Sequence, residues 1–415
     1  VRRATEPTPG PHRKRAELKA LTGLRAVAAL LVVLSHTHLP RNAPDAFDRL
    51  VGWGHMGVPL FFLLSGVVLG YNYPDLSPRN GRRTVLFYLA RIARVMPLYW
   101  VMIVLWVLFY YAEGQQQRPW VLLQHLFAVQ TWGDDVATAQ FHYNGPGWSI
   151  GVELFFYALF PFIAPLIARA AWRWRTRGLV LIAGACAAFS LVLWAIFTLK
   201  GWTDLPATDG RSAHRWLYRN PLPNLAVFVG GVTLAHLLGE SMRLPTRLHS
   251  VIQTGVVVYT LGLGMFHSTT SGAVKAGSFG AFFVLPFMLG IFSLASGRGW
   301  LARFLSTRLL VVLGASSYAL YLTHRWFLWH LTSAKQIQTT PGLRGWAALL
   351  ITLVILVAVA EGAHRLVENP ARAGIMNFAR RLKALHRRRK QSAMAVAQQR
   401  VPEQSVAAGK SSARR

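Results

Sequence analysis

Apolar residues in this chain fall into runs of about 20, the length an α-helix needs to cross ~30 Å of hydrocarbon. Short polar or basic segments separate the runs. The pattern predicts ten helices, at 20–39, 54–73, 95–112, 146–168, 178–198, 222–240, 249–267, 278–296, 309–331 and 345–367. Residues 119–132, "PWVLLQHLFAVQTW", are apolar but short for a crossing, and read as a re-entrant or interfacial piece. The expected fold class is all-α, a polytopic membrane helix bundle of about ten transmembrane helices. A basic N-terminal tail (1–19), a ten-helix domain (20–372) and a basic, partly disordered tail (373–415) make up the organisation. No loop is long enough for a separate soluble domain, so any chemistry belongs inside the bundle.

Charge sets the orientation. "RKRAELK" precedes the first run, and the alternate loops "RNGRRTVLFYLARIAR", "RAAWRWRTRG", "ESMRLPTRLHS" and "GRGWLARFLSTR" are all basic. The loops between them, holding "AEGQQQ", "WGDD", "KGWTDLPATDG", "STTSGAVKAG" and "SAKQIQTT", are more neutral. By the positive-inside rule both termini are expected in the cytoplasm, with the chain in a cell membrane. Only 14% of the 415 residues are charged and 53% are hydrophobic, against roughly 25% charged for a soluble protein. The net charge of +30 therefore does not point to nucleic acid, because it lies in loops and tails and forms no single folded face. The tails are candidates for contact with anionic lipid. The first run is long enough to stay as a span, so no cleaved signal is expected. The lone Cys186 excludes a disulfide framework and a cysteine metal site.

Ionisable residues inside such spans are costly in hydrocarbon and mark candidate function. Arg25 and His36 lie eleven residues apart on the first helix, within about 20° of three whole turns and about 16 Å apart along the axis. They share a face. Snorkelling to headgroups is the plain alternative for Arg25, and an interfacial, water-satisfied imidazole that for His36. His38 points the other way, so no metal is expected at "HTH". On the fourth span, "GPGWSIGVELFFYALFP" sets Ser149, Glu153 and Tyr157 one turn apart in a polar stripe. Glu153 is expected at the depth of His36, where a carboxylate orients an imidazole; a structural buried acid is the alternative. The ninth span, "GASSYALYLTHRWFLWH", repeats the device with Ser317, Tyr321 and His324, with Tyr318 on a neighbouring face, either as site residues or as bonds between helices. At the inner side, Arg91 and Arg94 of "LFYLARIARVMP" are either positive-inside anchors or a phosphate clamp. Ser65 and Gly66 of "GVPLFFLLSG" allow close helix approach or passage of a slender ligand.

Together these residues describe a tunnel with cations at the inner mouth and an imidazole near the outer end. Trp148, Ser149, Tyr157, Tyr321 and His324 are expected to line it, with Arg25, Arg91, Arg94 and Ser65 as the binding residues. A ligand with phosphates at one end and a reactive centre ~15–20 Å away fits, by the helix rise. Acyl-CoA has that shape. His36 and Glu153 then form the catalytic pair, with His36 as general base on an acceptor hydroxyl that attacks the thioester. No covalent nucleophile stands out, because Cys186 has no neighbouring base and no serine sits in a nucleophile elbow. No tightly bound cofactor is expected, only acyl-CoA as donor. The alternative is a transporter exporting a glycan, a lipid-linked sugar or a small metabolite. Against it stands the absence of an internal repeat or of paired broken helices.

The segments "LTGLRAVAALLVVLSH", "GHMGVPLFFLLSG", "FYLARIARVMPLYW", "GPGWSIGVELFFYALFP", "LGASSYALYLTH" and "EGAHRLVENP" occur in order from about 20 to 372. In these the chain resembles the acyltransferase 3 family of bacterial integral-membrane O-acyltransferases. The resemblance implies ten spans and transfer of an acyl group, most often acetyl, from cytoplasmic acyl-CoA. It implies as acceptor a hydroxyl of a carbohydrate or glycosylated metabolite. It assigns family roles to Arg25, His36, Arg91, Arg94, Glu153, Tyr321, His324 and Glu368. Position 59 is proline where many relatives carry an acid, and it receives no role.

Overall fold

The computed structural model describes residues 17–40, 42–116, 118–132, 142–266, 271–331, 334, 337, 339–381 and 391–392. The N-terminal tail to residue 16 and most of the C-terminal tail beyond 381 lie outside the described residues. So do parts of three loops expected on the outer side, at 133–141, 267–270 and within 332–338.

The regular elements among the described residues are all helical, without a strand. The helices are α1 (Lys19–His36), α2 (Asp45–Gly52), α3 (Gly57–Asn72), α4 (Gly81–Ala112), α5 (Pro119–Leu126), α6 (Trp148–Leu199) and α7 (Pro221–Ser241). They continue as α8 (Thr246–Phe266), α9 (Gly272–Gly277), α10 (Val284–Leu294), α11 (Trp300–Leu305), α12 (Arg308–Ala315), α13 (Ser317–His330) and α14 (Gly342–Ala363). A 3-10 turn, Trp53–Met56, joins α2 to α3, and π-turns lie at His214–Arg219 and His364–Glu368. Seven helical runs are long and apolar enough to cross a bilayer. Large apolar side chains such as Leu181, Leu199, Val251, Leu309 and Leu350 face outward, which suits lipid and would be penalised in water. This is a multi-pass membrane protein.

Several expected boundaries move. The basic segment before the third span is itself helical, so α4 runs 32 residues through Pro97. The spans expected at 146–168 and 178–198 form one run, α6, whose course breaks at Arg175 with φ 50. The intervening "RAAWRWRTRG" contains strong helix formers and no proline, so it coils instead of looping. The span expected at 278–296 contains only 11 helical residues, α10, after a turn around Gly280. The ninth span breaks at Ser316, whose hydroxyl bonds back to the Val312 carbonyl at 3.4 Å. The 119–132 segment makes only the eight-residue α5 before turning, too short to cross.

The bundle is drawn tight at small residues. A Cβ on Gly66 of α3 would lie 2.2 Å from the Phe228 carbonyl, and one on Gly231 of α7 would lie 2.2 Å from that of Leu63. The two backbones touch there, which only glycine permits. Of the two roles open to the Ser65-Gly66 pair, close approach is the one Gly66 takes. Beside this crossing, the Phe156 and Phe228 rings stack at 4.8 Å. Helix α1 sits in the middle, with Ala28, Ala29 and Val33 fully buried. On this helix Arg25 is half-buried, and His36 is exposed at the C-terminal end.

Candidate active site

The polar side chains of the spans gather at two levels, named inner and outer after the orientation expected from the charge pattern. At the inner level, Ser65 donates a 3.0 Å hydrogen bond to Glu153, and the Tyr157 hydroxyl donates to the same carboxylate oxygen. The Arg91 guanidinium lies 5.9 Å over both the Phe87 and the Tyr157 rings, and Arg25 lies 5.9 Å over Phe61. Arg25, Ser65, Arg91, Arg94, Glu153, Tyr157 and Tyr318 line one narrow gap. The gap adjoins a cavity of about 480 Å³ lined by Arg25, Arg94, His364, Glu368 and Arg372. Glu368 is buried and pairs with His364 at 2.8 Å. The Nε atoms of Arg25 and Arg91 are buried without a hydrogen-bond partner. Such donors are costly unless an acceptor completes them. A phosphate, with three or more acceptor oxygens, has the chemistry to do so.

At the outer level, His36 opens onto a larger cavity, about 940 Å³ in volume. Its wall includes His55, Trp106, Trp148, His214, Tyr218, Arg219, Tyr321 and Arg325. The His36 Nδ1 lies 2.8 Å from the Val32 carbonyl. A carbonyl only accepts, so Nδ1 carries the hydrogen and Nε2 of the neutral ring keeps its lone pair. His324 is fully buried, with Nδ1 2.6 Å from the Tyr321 carbonyl, and its ring centre lies 5.0 Å from that of His36. Trp148 packs 4.8 Å from Tyr218, under the Arg219 guanidinium at 5.4 Å. The aromatic wall suits a ligand with apolar faces, such as a sugar ring. Outside the spans, burial, followed by the charges of Arg219 and Lys275, pushes the His214 imidazole down to about 3.

The structure separates two residues expected to pair. Glu153 belongs to the inner cluster, and no hydrogen bond or ion pair joins it to His36. The cause is the recessed start of α6. The turn Gly145–Gly147 is already inside the bundle, with Pro146, Gly147 and Trp148 buried. The turn after α5 closes over it: a Cβ on Gly151 would meet the Ala128 carbonyl at 2.4 Å, and Trp132 donates to the Gly151 carbonyl. Counting turns from an assumed surface start therefore places Glu153 too far out. Ser149 bonds to the Pro146 carbonyl at 3.1 Å, as does Tyr321 at 3.2 Å, so both hold this turn in place.

The expected continuous tunnel is divided. The outer and inner cavities share no lining residue. Between them a column of rings runs from His324 to Tyr321 at 6.0 Å, from Tyr321 to Phe61 at 6.0 Å, and from Phe61 to Arg25. Sequence reasoning passed over His55, Arg219, Arg325 and Arg372. Arg219 carried a signal, because it is a cation next to a span on the side that the positive-inside rule leaves poor in cations.

The multi-pass bundle thus carries an imidazole cavity at one level and an arginine cluster at the other. The profile of an acyltransferase domain matches residues 18–361, and the chain belongs to the acyltransferase 3 family. It is similar to acyltransferase MdmB of Streptomyces mycarofaciens, 27% identical over 85% of this chain and 91% of that protein. It is also similar to peptidoglycan O-acetyltransferase OatA of Listeria monocytogenes, 24% identical over 88% of this chain and 57% of that protein. No solved structure matches. The chain is an O-acyltransferase, which decides against the transporter reading.

Proposed function

We propose that the protein moves an acyl group, acetyl by preference, from cytoplasmic acyl-CoA to a hydroxyl of a carbohydrate or glycosylated metabolite. In this reading the chain crosses a bacterial cytoplasmic membrane ten times with both termini inside. The seven long runs supply most crossings. The break at Arg175 divides α6 into two, and α10 and the α12–α13 pair complete the set. The basic loops then face the cytoplasm.

The donor's phosphates bind at the inner cavity, on Arg25, Arg94 and Arg372, with Arg91 and Ser65 holding the gap above them. The pantetheine arm passes the Phe61–Tyr321 column by moving those rings, and the thioester reaches the outer cavity. The acceptor stacks on the Trp148–Tyr218 wall. His36 Nε2 takes the acceptor's hydroxyl proton as the oxygen bonds to the thioester carbon. The C–S bond then breaks, and the proton passes from His36 to the thiolate, giving the ester and free CoA. The acetyl donor and carbohydrate acceptor are supported by the name of the OatA relative.

One observation carries the reading: a single helix, α1, presents His36 to the outer cavity and Arg25 to the inner one. Membranes containing the protein, given radiolabelled acetyl-CoA and a host-cell extract, should label an acceptor. His36→Ala should lower the label by about 10²–10⁴-fold, the usual worth of a general base. Undiminished labelling by that variant removes His36 as base.

A further inference from the structure

The outer cavity carries more positive charge than its side of the membrane explains. The positive-inside rule leaves that side poor in cations. Yet three line the cavity, each from a different element: Arg219 from the His214–Arg219 turn, Lys275 from α9 and Arg325 from α13. Glu113, just past the end of α4, is the one carboxylate among the described lining residues, and it is exposed. His214 adds no charge near neutral pH, since it titrates at about 3.

The three cations form a chain along the wall. The charges of Lys275 and Arg219 both reach His214, and those of Arg219 and Arg325 both reach His36. Arg219 is buried, its guanidinium 5.4 Å over the Trp148 ring, so it is fixed against the aromatic wall. Lys275 and Arg325 are exposed, and the side chain of neither makes an ion pair among the described residues. Arg325 and His36 also line together a side cavity of about 200 Å³, which puts this guanidinium beside the proposed base. Anchoring to lipid headgroups does not account for side chains that line a cavity within the bundle. Charge of one sign gathered between low-dielectric walls concentrates ligands of the other sign.

We propose that the acceptor is a sugar with an anionic group of its own, a carboxylate or a phosphate, held by Arg325 and Lys275 while one of its hydroxyls faces His36. The planar fork of Arg325 matches either anion, and Lys275 serves as a point charge. Arg219 adds a fixed positive field from the wall. The donor's phosphates are assigned to the inner cavity, so the anion that enters the outer one belongs to the acceptor. A neutral sugar would leave the three like charges uncompensated. The inference rests on the reading that the acceptor enters the outer cavity.

The test separates a host-cell extract on an anion exchanger at neutral pH. Each fraction is offered, with radiolabelled acetyl-CoA, to membranes containing the protein. Acceptor activity should stay on the exchanger and elute with salt. One of two treatments should then abolish it: amidation with carbodiimide and methylamine, which marks a carboxylate, or digestion with phosphatase and phosphodiesterase, which marks a phosphate. With the retained fraction, Arg325→Gln should raise the acceptor's KM about tenfold and Lys275→Gln a few-fold, with the KM for acetyl-CoA unchanged. Thermal unfolding in detergent checks that both variants fold. Three results overturn the inference while transfer itself stands: label confined to the unretained, neutral fraction, an acceptor that survives both treatments, or an acceptor KM that neither variant moves. No label in any fraction removes the transfer reading and this inference with it.

Discussion

Ser65 and Glu153 lie on different helices, α3 and α6, and are joined by a 3.0 Å hydrogen bond that Tyr157 completes from the next turn of α6. The bond places the carboxylate among the arginines of the inner half, at the level of Arg25 and away from His36. A half-buried acid with two hydroxyl donors and three neighbouring guanidiniums is an organising group for an anion site. Its effect should appear on the donor.

Glu153→Gln keeps an acceptor oxygen but removes the charge that the hydroxyls and arginines address. The expected loss is about 1.5–3 kcal/mol of stability, the range for hydrogen bonds to charged groups. The KM for acetyl-CoA should rise, and that for the acceptor should stay constant. Thermal unfolding in detergent and steady-state kinetics measure both. A change confined to the acceptor's KM would return Glu153 to the His36 level.

The α3–α7 crossing tolerates no side chain. Gly66→Leu should destabilise the bundle by about 1–3 kcal/mol or prevent its assembly, as overpacking does. The control is Gly255→Ala on α8, where an added Cβ meets nothing within 4 Å. That variant should match or slightly exceed the native melting temperature, since alanine is the better helix former by about 1 kcal/mol. Equal melting of the Gly66 variant and the control would contradict the close approach.

Direct transfer from donor to acceptor leaves no task for the thiol. Cys186 is buried on α6 and lines neither cavity. Cys186→Ala should retain native turnover and give no change in burst amplitude. An inactive but folded variant would favour a covalent acyl-enzyme instead.

His214 titrates low in the folded chain, at about 3, against about 6.5 when unfolded. Below pH 6.5 the unfolded chain binds the extra proton and the folded one resists it, so this residue's effect is to weaken the fold as pH falls from about 6.5 toward 3. Above 6.5 it contributes no pH dependence. His214→Gln should flatten the acid side of the melting-temperature profile, and an unchanged profile would contradict the burial.

How much of this was legible beforehand depends on the range over which each relation acts. The shared face of Arg25 and His36 follows from the helical period alone, and the structure keeps it. The Glu153–Tyr157 contact is equally local, one turn along α6. The depth of Glu153 was not legible, because it depends on how far the Gly145–Gly147 turn is drawn beneath the segment after α5. The approach of His324 to His36 is a contact between distant segments, which no periodicity encodes. The break at Arg175 falls inside the basic loop expected between 168 and 178, so charge marked the region, although neither proline nor an adjacent glycine fixes the residue.

The central claim is that donor and acceptor meet at His36 from opposite sides of the bundle. A cryo-EM structure with CoA bound tests it most directly. The account predicts phosphate density at Arg25, Arg94 and Arg372, with the thiol beyond Phe61 and directed toward His36. Phosphates seated in the outer cavity, against Arg219, Lys275 or Arg325, would contradict it.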